Sequence, residues 1–557
     1  MSEYHKTGKP GKDELLFLPL GGSGEIGMNL NLYGYNGKWL MVDYGITFGD
    51  VTTPGIDVIF PDPTFIEDRA DDLVGLVLTH AHEDHLGAVP YLWDCFDCPI
   101  YATPFTAAIL RKKLEESQFI GEANIIEVPL SGQFEAGPFE LELVSLTHSI
   151  PEPNALIIRT EAGSVMHTGD WKLDPDPLLG PTADEERLIQ AGKDGITAMV
   201  CDSTNALVPG RSGSEADVRE NLVDIVSKIK GGVAIACFAS NVARLESAAV
   251  AASKSGRAVC LVGRSLWRMT EAAKATGYLQ DMPPFLEAEE VKDLPKEKVL
   301  YICTGSQGEP RAALARIARG DHRDVSFGKG DTVIFSSREI PGNEISINRV
   351  QNGLVENGVT LITADDYEIH TSGHPNKDEL AQMYQWIRPD VAIPVHGELR
   401  HMMGHAQLAK NCQVPHGIVP RNGALIKITK DGADVIDEVP NGRLALDGNR
   451  ITPLDSISLR DRRKMGWGGM IFATVVVDAK GRLYEAPKIS VEGLLEDHEE
   501  DEFAELTDTV ELTVKRLDRD ERLNDKKISE AVRIALRRQI NDICGKKPKA
   551  QVHLVRI

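Results

Sequence analysis

His80, His82, Asp84 and His85 place three imidazoles and a carboxylate within six residues, in the run Thr79-His80-Ala81-His82-Glu83-Asp84-His85. Histidine is uncommon in protein interiors and Asp is almost never fully buried unless paired, so such crowding does not serve packing. Neutral imidazole and carboxylate are the ligand set that zinc accepts. The HxHxDH pattern leaves an apolar run at residues 73–78 and enters Leu86-Gly87-Ala88, which reads as a strand end turning into a helix. We read it as the floor of a two-metal hydrolytic site.

The elements that must complete such a site recur along the chain. A strand at residues 137–146 ends in Thr147-His148-Ser149, and one at 164–167 runs into Thr168-Gly169-Asp170, an acid placed to bridge two cations. A third, at 391–395, ends in His396. Asp43 closes an early strand, where it can hold a ligand from behind. The nearby Gly22-Ser23-Gly24-Glu25-Ile26-Gly27 fits GxGxxG, and Asp43 stands where a dinucleotide fold keeps its ribose acid. The run is succeeded by a hairpin pattern about Asn36-Gly37 instead of the helix a pyrophosphate needs, so a sheet-on-sheet core is expected. His401, His405 and His416 sit on helix-like or loop stretches and read as ordinary surface residues.

Between Asp170 and His396 lies far more chain than a loop can hold. Within it, apolar runs at 233–237, 258–262, 299–303 and 332–335 are each followed by a small-residue turn and a helical stretch. That rhythm implies a doubly wound parallel sheet, inserted into the metal-binding domain, which resumes near His370. Ser- and Gly-rich turns at helix N-termini, one carrying Arg264, are suited to phosphate.

The chain has 557 residues, enough for about three domains. Its net charge of −23 argues against indiscriminate attraction to nucleic acid while leaving room for a local groove. The first residues lack an apolar signal core and no run suffices for a membrane span, so a soluble, cytoplasmic protein without membrane contact is expected. Cys95-Phe96-Asp97-Cys98 has no second pair and no thioredoxin-like flank, which makes it a poor redox or zinc-knuckle candidate. Beyond residue 450, Asp461-Arg462-Arg463-Lys464 and a Gly-rich 466–469 precede a strand at 470–477, and the acidic run 496–505 reads as a solvated loop or linker. The end is basic, with Arg533, Arg537, Arg538, Lys546, Lys547 and Lys549, suited to RNA or to a sister subunit.

Assembled, these motifs resemble the metallo-β-lactamase superfamily. The insert points to its β-CASP branch, and Asp202-Ser203-Thr204-Asn205, Thr304-Gly305-Ser306-Gln307-Gly308-Glu309-Pro310, Ile340-Pro341-Gly342-Asn343-Glu344 and His370-Thr371-Ser372-Gly373-His374 look like the ribonuclease J family. Arg338-Glu339 departs from the small or neutral pair expected there. The resemblance implies an αββα sandwich (1–205 and 370–450), an inserted doubly wound domain (206–369), and a linker with a small α+β domain (451–557). It implies that His80, His82 and His148 hold one zinc and Asp84, His85 and His396 the other, with Asp170 bridging and Mn²⁺ a possible substitute. Asp84, Asp170 and His374 are then the catalytic candidates, while Ser240, His370, Ser372 and Gly373, with Arg264 and His374, would hold a 5′-monophosphate. The implied activity is 5′-to-3′ removal of nucleotides from single-stranded RNA, with internal cleavage besides, in RNA maturation and decay. A homodimer or homotetramer is implied as well. A hydrolase of a small ester or lactam would share the ligands but have no use for the insert, and a silent RNA-binding scaffold would not need the ligand set complete.

Overall fold

Strict alternation of side chains places each residue of a strand on one of two faces, and in the central strands of the sandwich both faces are apolar. In the strand Ala198–Asp202, Ala198 and Val200 point into one core while Met199 and Cys201 point into another. The computed structural model describes residues 9–117, 123–496 and 498–557. Contacts divide the chain into two units, Met1–Thr47 with Phe60–Gly442, and Phe48–Ile59 with Arg443–Ile557.

The first unit is built on an eight-stranded sheet facing a seven-stranded one. Leu15, Phe17, Tyr33, Leu40 and Val77 of one sheet meet Leu143, Leu156, Val165, Val200 and Ile393 of the other. On the outer face of the second sheet lie the helices Glu185–Asp194, Lys377–Ile387 and Leu399–Asn411, which bury Leu188, Met383, Tyr384 and Ala409. Leu30–Tyr35 and Lys38–Val42 form the antiparallel hairpin expected about Asn36-Gly37, so the GxGxxG run opens no helix.

The insert is a six-stranded, all-parallel sheet in the order Phe285–Leu286, Ala258–Val262, Val299–Cys303, Val233–Ala236, Thr332–Phe335, Thr360–Ile362. The sandwich resumes after it, because Val391–Val395 pairs in parallel with Ala198–Asp202. Two distant strand ends, Asp202 and His396, are thereby brought side by side. Fully buried Arg244 ties the return segment down: it donates to the Ile369 carbonyl (3.0 Å) and to Ser336, and pairs with Glu215 (3.0 Å).

The second unit packs the helices Glu500–Arg516 and Asp525–Cys544 on a three-stranded sheet, with Val475, Leu506, Val510, Val532 and Leu536 in its core. Part of the acidic run expected to be a loop belongs to this packing: Glu500, Asp501 and Glu502 form the first helical turn, where carboxylates oppose the positive end of the helix dipole. No helix among the described residues is long and apolar enough to cross a membrane. Cys95 is exposed and Cys98 buried, and both thiols are pushed up to about 12, by burial and then by nearby carboxylates, away from the reactive thiolate range.

Candidate metal centre

The HxHxDH motif leaves the strand Leu73–Val77 and turns into the short helix Glu83–Leu86. The turn is clasped by the opening hairpin. The Asp84 carbonyl accepts from the Asn29 backbone N–H (2.9 Å) and the Asn29 amide (3.0 Å), and a Cβ on Gly45 would lie 1.7 Å from that same oxygen. Only glycine fits at position 45.

Nearly every histidine here is held by one ring nitrogen so that the other faces inward. His85 Nδ1 donates to Asp43 Oδ2 (2.7 Å), and His80 Nδ1 pairs with Thr79 Oγ1 (3.0 Å), whose hydroxyl lies 2.9 Å from Asp43 Oδ2. His148 Nδ1 donates to the Gly373 carbonyl, and His396 Nδ1 pairs with Thr204 Oγ1 (2.9 Å). Nε2 is left inward in all four. Asp43 at φ 61° and His396 at φ 50° are held in the left-handed region, a strain tolerated where surrounding contacts over-determine the backbone.

The inward nitrogens converge without protons to share. His80 Nε2 and His148 Nε2 each lie 3.1 Å from His82 Nδ1, so one proton cannot satisfy the three. Burial, and then neighbouring imidazoles, hold His80 and His148 well below the usual imidazole range; burial brings His82 to about 4. Neutral rings with inward lone pairs are what a divalent cation requires. Beside them, Asp170 Oδ2 lies 3.2 Å from His85 Nε2, and Asp170 Oδ1 is buried without a hydrogen-bond partner. Burial opposes charge on Asp84, Asp170 and His85 alike, yet their mutual attraction, with His396, keeps the carboxyls low and the His85 imidazolium high.

Ligand atoms gather into three groups: His80, His82, His148 and Asp170; Asp84, His85, Asp170 and His396; and Asp170, Asp202, His374 and His396. Asp170 belongs to all three. The donor set, the inward lone pairs and the orphaned oxygen fit a divalent metal centre.

The third group is one that motif and spacing did not assemble. Asp202 Oδ2 accepts from His374 Nδ1 (2.8 Å) and Oδ1 lies 3.5 Å from His396 Nδ1. Its place at a strand carboxyl end, like Asp170 and His396, was the signal that could have found it. Asn205 bridges the same region, donating to Ser372 Oγ (2.8 Å) and the His374 carbonyl (3.3 Å) while lying 3.4 Å from Arg338 Nη1. Arg338 is one of the pair that departs from expectation, and its guanidinium reaches Asn205. His370 Nδ1 is buried without a partner, and burial, then Arg244, Arg338 and Lys172, lowers this imidazole to about 3. No hydrogen bond joins the side chains of Ser240 or Arg264 to this cluster among the described residues, and Arg264 is exposed.

His405 corrects an expectation. It is fully buried, with Nε2 2.8 Å from Tyr384 Oη and Nδ1 2.9 Å from Ser203 Oγ. Burial lowers it to about 4, so it stays neutral. One proton order satisfies the chain: Tyr384 donates to Nε2, Nδ1–H donates to Ser203, and Ser203 donates to the Cys201 carbonyl at 3.4 Å. This braces the turn that carries Asp202 and Thr204. His405→Phe should lower the unfolding free energy by about 1 to 3 kcal/mol, because it strands the buried Tyr384 hydroxyl and removes the donor to Ser203, and should reduce turnover through Asp202. Denaturant titration and kcat measured together check this, and wild-type values for both would refute it.

Four family models match successive parts of the chain: the metallo-beta-lactamase superfamily (29–214), the ribonuclease J beta-CASP domain (230–354), the Zn-dependent metallo-hydrolase RNA specificity domain (364–417) and the ribonuclease J C-terminal domain (457–557). Ribonuclease J of Sinorhizobium meliloti is 44% identical over 551 residues, covering 98% of each chain. The chain belongs to the ribonuclease J family. Ribonuclease J 1 of Streptococcus pyogenes is 39% identical over 84% of each chain, and ribonuclease J of Thermus thermophilus 36% identical over 84% of this chain and 83% of its own. A solved protein of unknown function from Enterococcus faecalis shares the fold at a TM-score of 0.52 and 18% identity, covering 74% of this chain and all of its own. As a family member the chain is a metal-dependent ribonuclease, a hydrolase acting on RNA. It carries the inserted β-CASP domain in a metallo-β-lactamase fold.

Proposed function

We propose that this ribonuclease removes nucleotides stepwise in the 5′-to-3′ direction from single-stranded RNA bearing a 5′-monophosphate, with internal cleavage as a second activity, in RNA maturation and decay. The observation that carries this reading is the return segment of the insert, 370–374, laid directly on the metal centre through the Gly373 carbonyl and His148. Its half-buried His370, whose Nδ1 is buried without a partner, lies in the field of Arg244, Arg338 and Lys172, surroundings suited to a phosphate. Ser240, Arg264, Ser372 and Gly373 complete the proposed pocket. A pocket that holds one phosphate beside the hydrolytic centre sets which bond is cut.

His80, His82 and His148 would hold one cation and Asp84, His85 and His396 another, with Asp170 within reach of both sets. Two Zn²⁺ ions, or Mn²⁺ in their place, would lower the pKa of water and neutralise phosphate oxygens. The chain's own residues do the rest. Asp43 and Thr204 fix imidazole tautomers, and Asp202 orients His374 by Nδ1, leaving Nε2 without a hydrogen bond among the described residues. Asp202 and Asp170 outweigh burial and raise the His374 pKa, which favours the protonated ring that would give a proton from Nε2 to the departing 3′-oxygen. The family setting and the −23 charge further suggest a cytoplasmic homodimer or homotetramer that binds few phosphates outside its groove.

Offering one RNA sequence as 5′-monophosphate, 5′-triphosphate and covalent circle tests the reading. Mononucleotides should appear first and fastest from the monophosphate, and slow internal cuts should appear in the circle. Preference for the triphosphate would refute the pocket.

A further inference from the structure

The helix Ile457–Gly468, wholly within the second unit, carries an exposed stripe that packing does not use. Ile457, Arg460, Lys464 and Trp467 follow one another at helical spacing, and all are exposed. Ile457 is 72% and Trp467 82% exposed. Of the six tryptophans, Trp39, Trp93 and Trp171 are buried and Trp267 and Trp386 half-buried. On one helical face with exposed Ile457, this tryptophan offers an apolar surface for contact.

The surroundings say what kind. Lys546, from the turn between the last helix and the last strand, reaches the Trp467 carbonyl with its ammonium (3.4 Å), and the backbone of exposed Lys547 packs against Gly468. Two carboxylates of this region are engaged elsewhere: Asp461 pairs with Lys549, and Asp447 takes both ends of Arg462 (2.9 and 2.8 Å). Arg460 and Lys464 thus share the exposed face with Trp467, and Lys546 and Lys547 meet the C-terminal end of the helix, which makes a basic strip on a chain of net charge −23. A flat π-face on a basic strip matches alternating base and phosphate. A matching stripe on a second copy would bring like charges together.

We propose that Trp467, with Lys464, Lys546, Lys547 and Arg460, is a second RNA contact: one base stacks on the indole while flanking phosphates meet the cations. This rests on the chain acting on RNA. The contact would be indifferent to sequence and would favour substrates long enough to reach it.

The test uses the full chain, Trp467→Ala, Trp467→Phe and Lys546→Ala/Lys547→Ala, with 5′-monophosphorylated oligouridylates of about 20 and about 4 nucleotides, since one stacked base is worth several-fold in affinity. In the wild type the longer RNA should have the lower KM, and Trp467→Ala should shrink that advantage at least about five-fold, Trp467→Phe less. The lysine pair should flatten the salt dependence of the KM advantage by about two phosphates' worth. A nuclease-resistant phosphorothioate 20-mer should quench the long-wavelength tryptophan emission of the wild type and not that of Trp467→Phe. An unchanged KM advantage, or no quenching, overturns the proposal. Sedimentation velocity closes the remaining route: if Trp467→Ala dissociates an oligomer and the KM effect follows protein concentration, the stripe is a protein interface and the proposal falls. Should the wild type cleave neither RNA, the ribonuclease reading fails, while quenching still reports on the stripe.

Discussion

Asp170→Asn is expected to lower RNA hydrolysis by roughly a thousand-fold or more, because loss of metal-borne charge stabilisation costs several kcal/mol and about 1.4 kcal/mol is tenfold in rate. The change keeps the shape of the side chain and removes its charge. Asp170 is the residue common to all three ligand groups, with Oδ2 3.2 Å from His85 Nε2, 3.8 Å from His148 Nε2 and 3.9 Å from His80 Nε2. A carboxamide would offer one side as a donor toward nitrogens already turned inward, and it would leave the buried imidazoles without their compensating anion. Elemental analysis of the purified variant should show fewer metal ions per chain than the wild type, and chelation of the wild type should reproduce the loss until Zn²⁺ or Mn²⁺ is restored. Full metal content together with wild-type turnover in Asp170→Asn would remove Asp170 from the centre.

His374→Ala should behave differently. It is expected to cut kcat by about 10² to 10⁴, the range for loss of a general acid, with metal content unchanged. His374 reaches the centre from the return segment of the insert, and its Nδ1 is engaged by Asp202 at 2.8 Å. Asp202→Asn keeps an acceptor at that position and loses the charge that raises the His374 pKa. Its kcat should therefore fall between those of the wild type and His374→Ala. The double variant Asp202→Asn/His374→Ala should be no slower than His374→Ala alone, since two residues acting through one proton are not additive. Single-turnover rates on 5′-monophosphorylated RNA measure this; an additive pair would separate Asp202 from His374.

Residue types and local periodicity made much of the architecture legible. The hairpin about Asn36-Gly37 and four parallel strands of the insert could be read from stretches of a dozen residues or so. The candidate ligands were legible for a related reason: a strand end delivers its last side chain to the same rim of the sheet wherever it falls in the chain, so His148, Asp170 and His396 could be picked out singly. The acidic run at 496–505 misled because charge predicts exposure, and the exposed face of a helix satisfies that as well as a loop does.

Only the tertiary structure decided which of these ends meet. Val391–Val395 pairs beside Ala198–Asp202 across the whole insert, and that one pairing sets Asp202 between His396 and His374. The same closure buries His405 against Ser203 and Tyr384, turning a helix residue that reads as solvent-facing into a brace. It also brings Arg338 to Asn205. A side chain's chemistry and its face of a strand are local properties, written within a few residues. Its partner is not, because contact across long intervals depends on sheet order and on the packing that offsets the entropy of closing the chain.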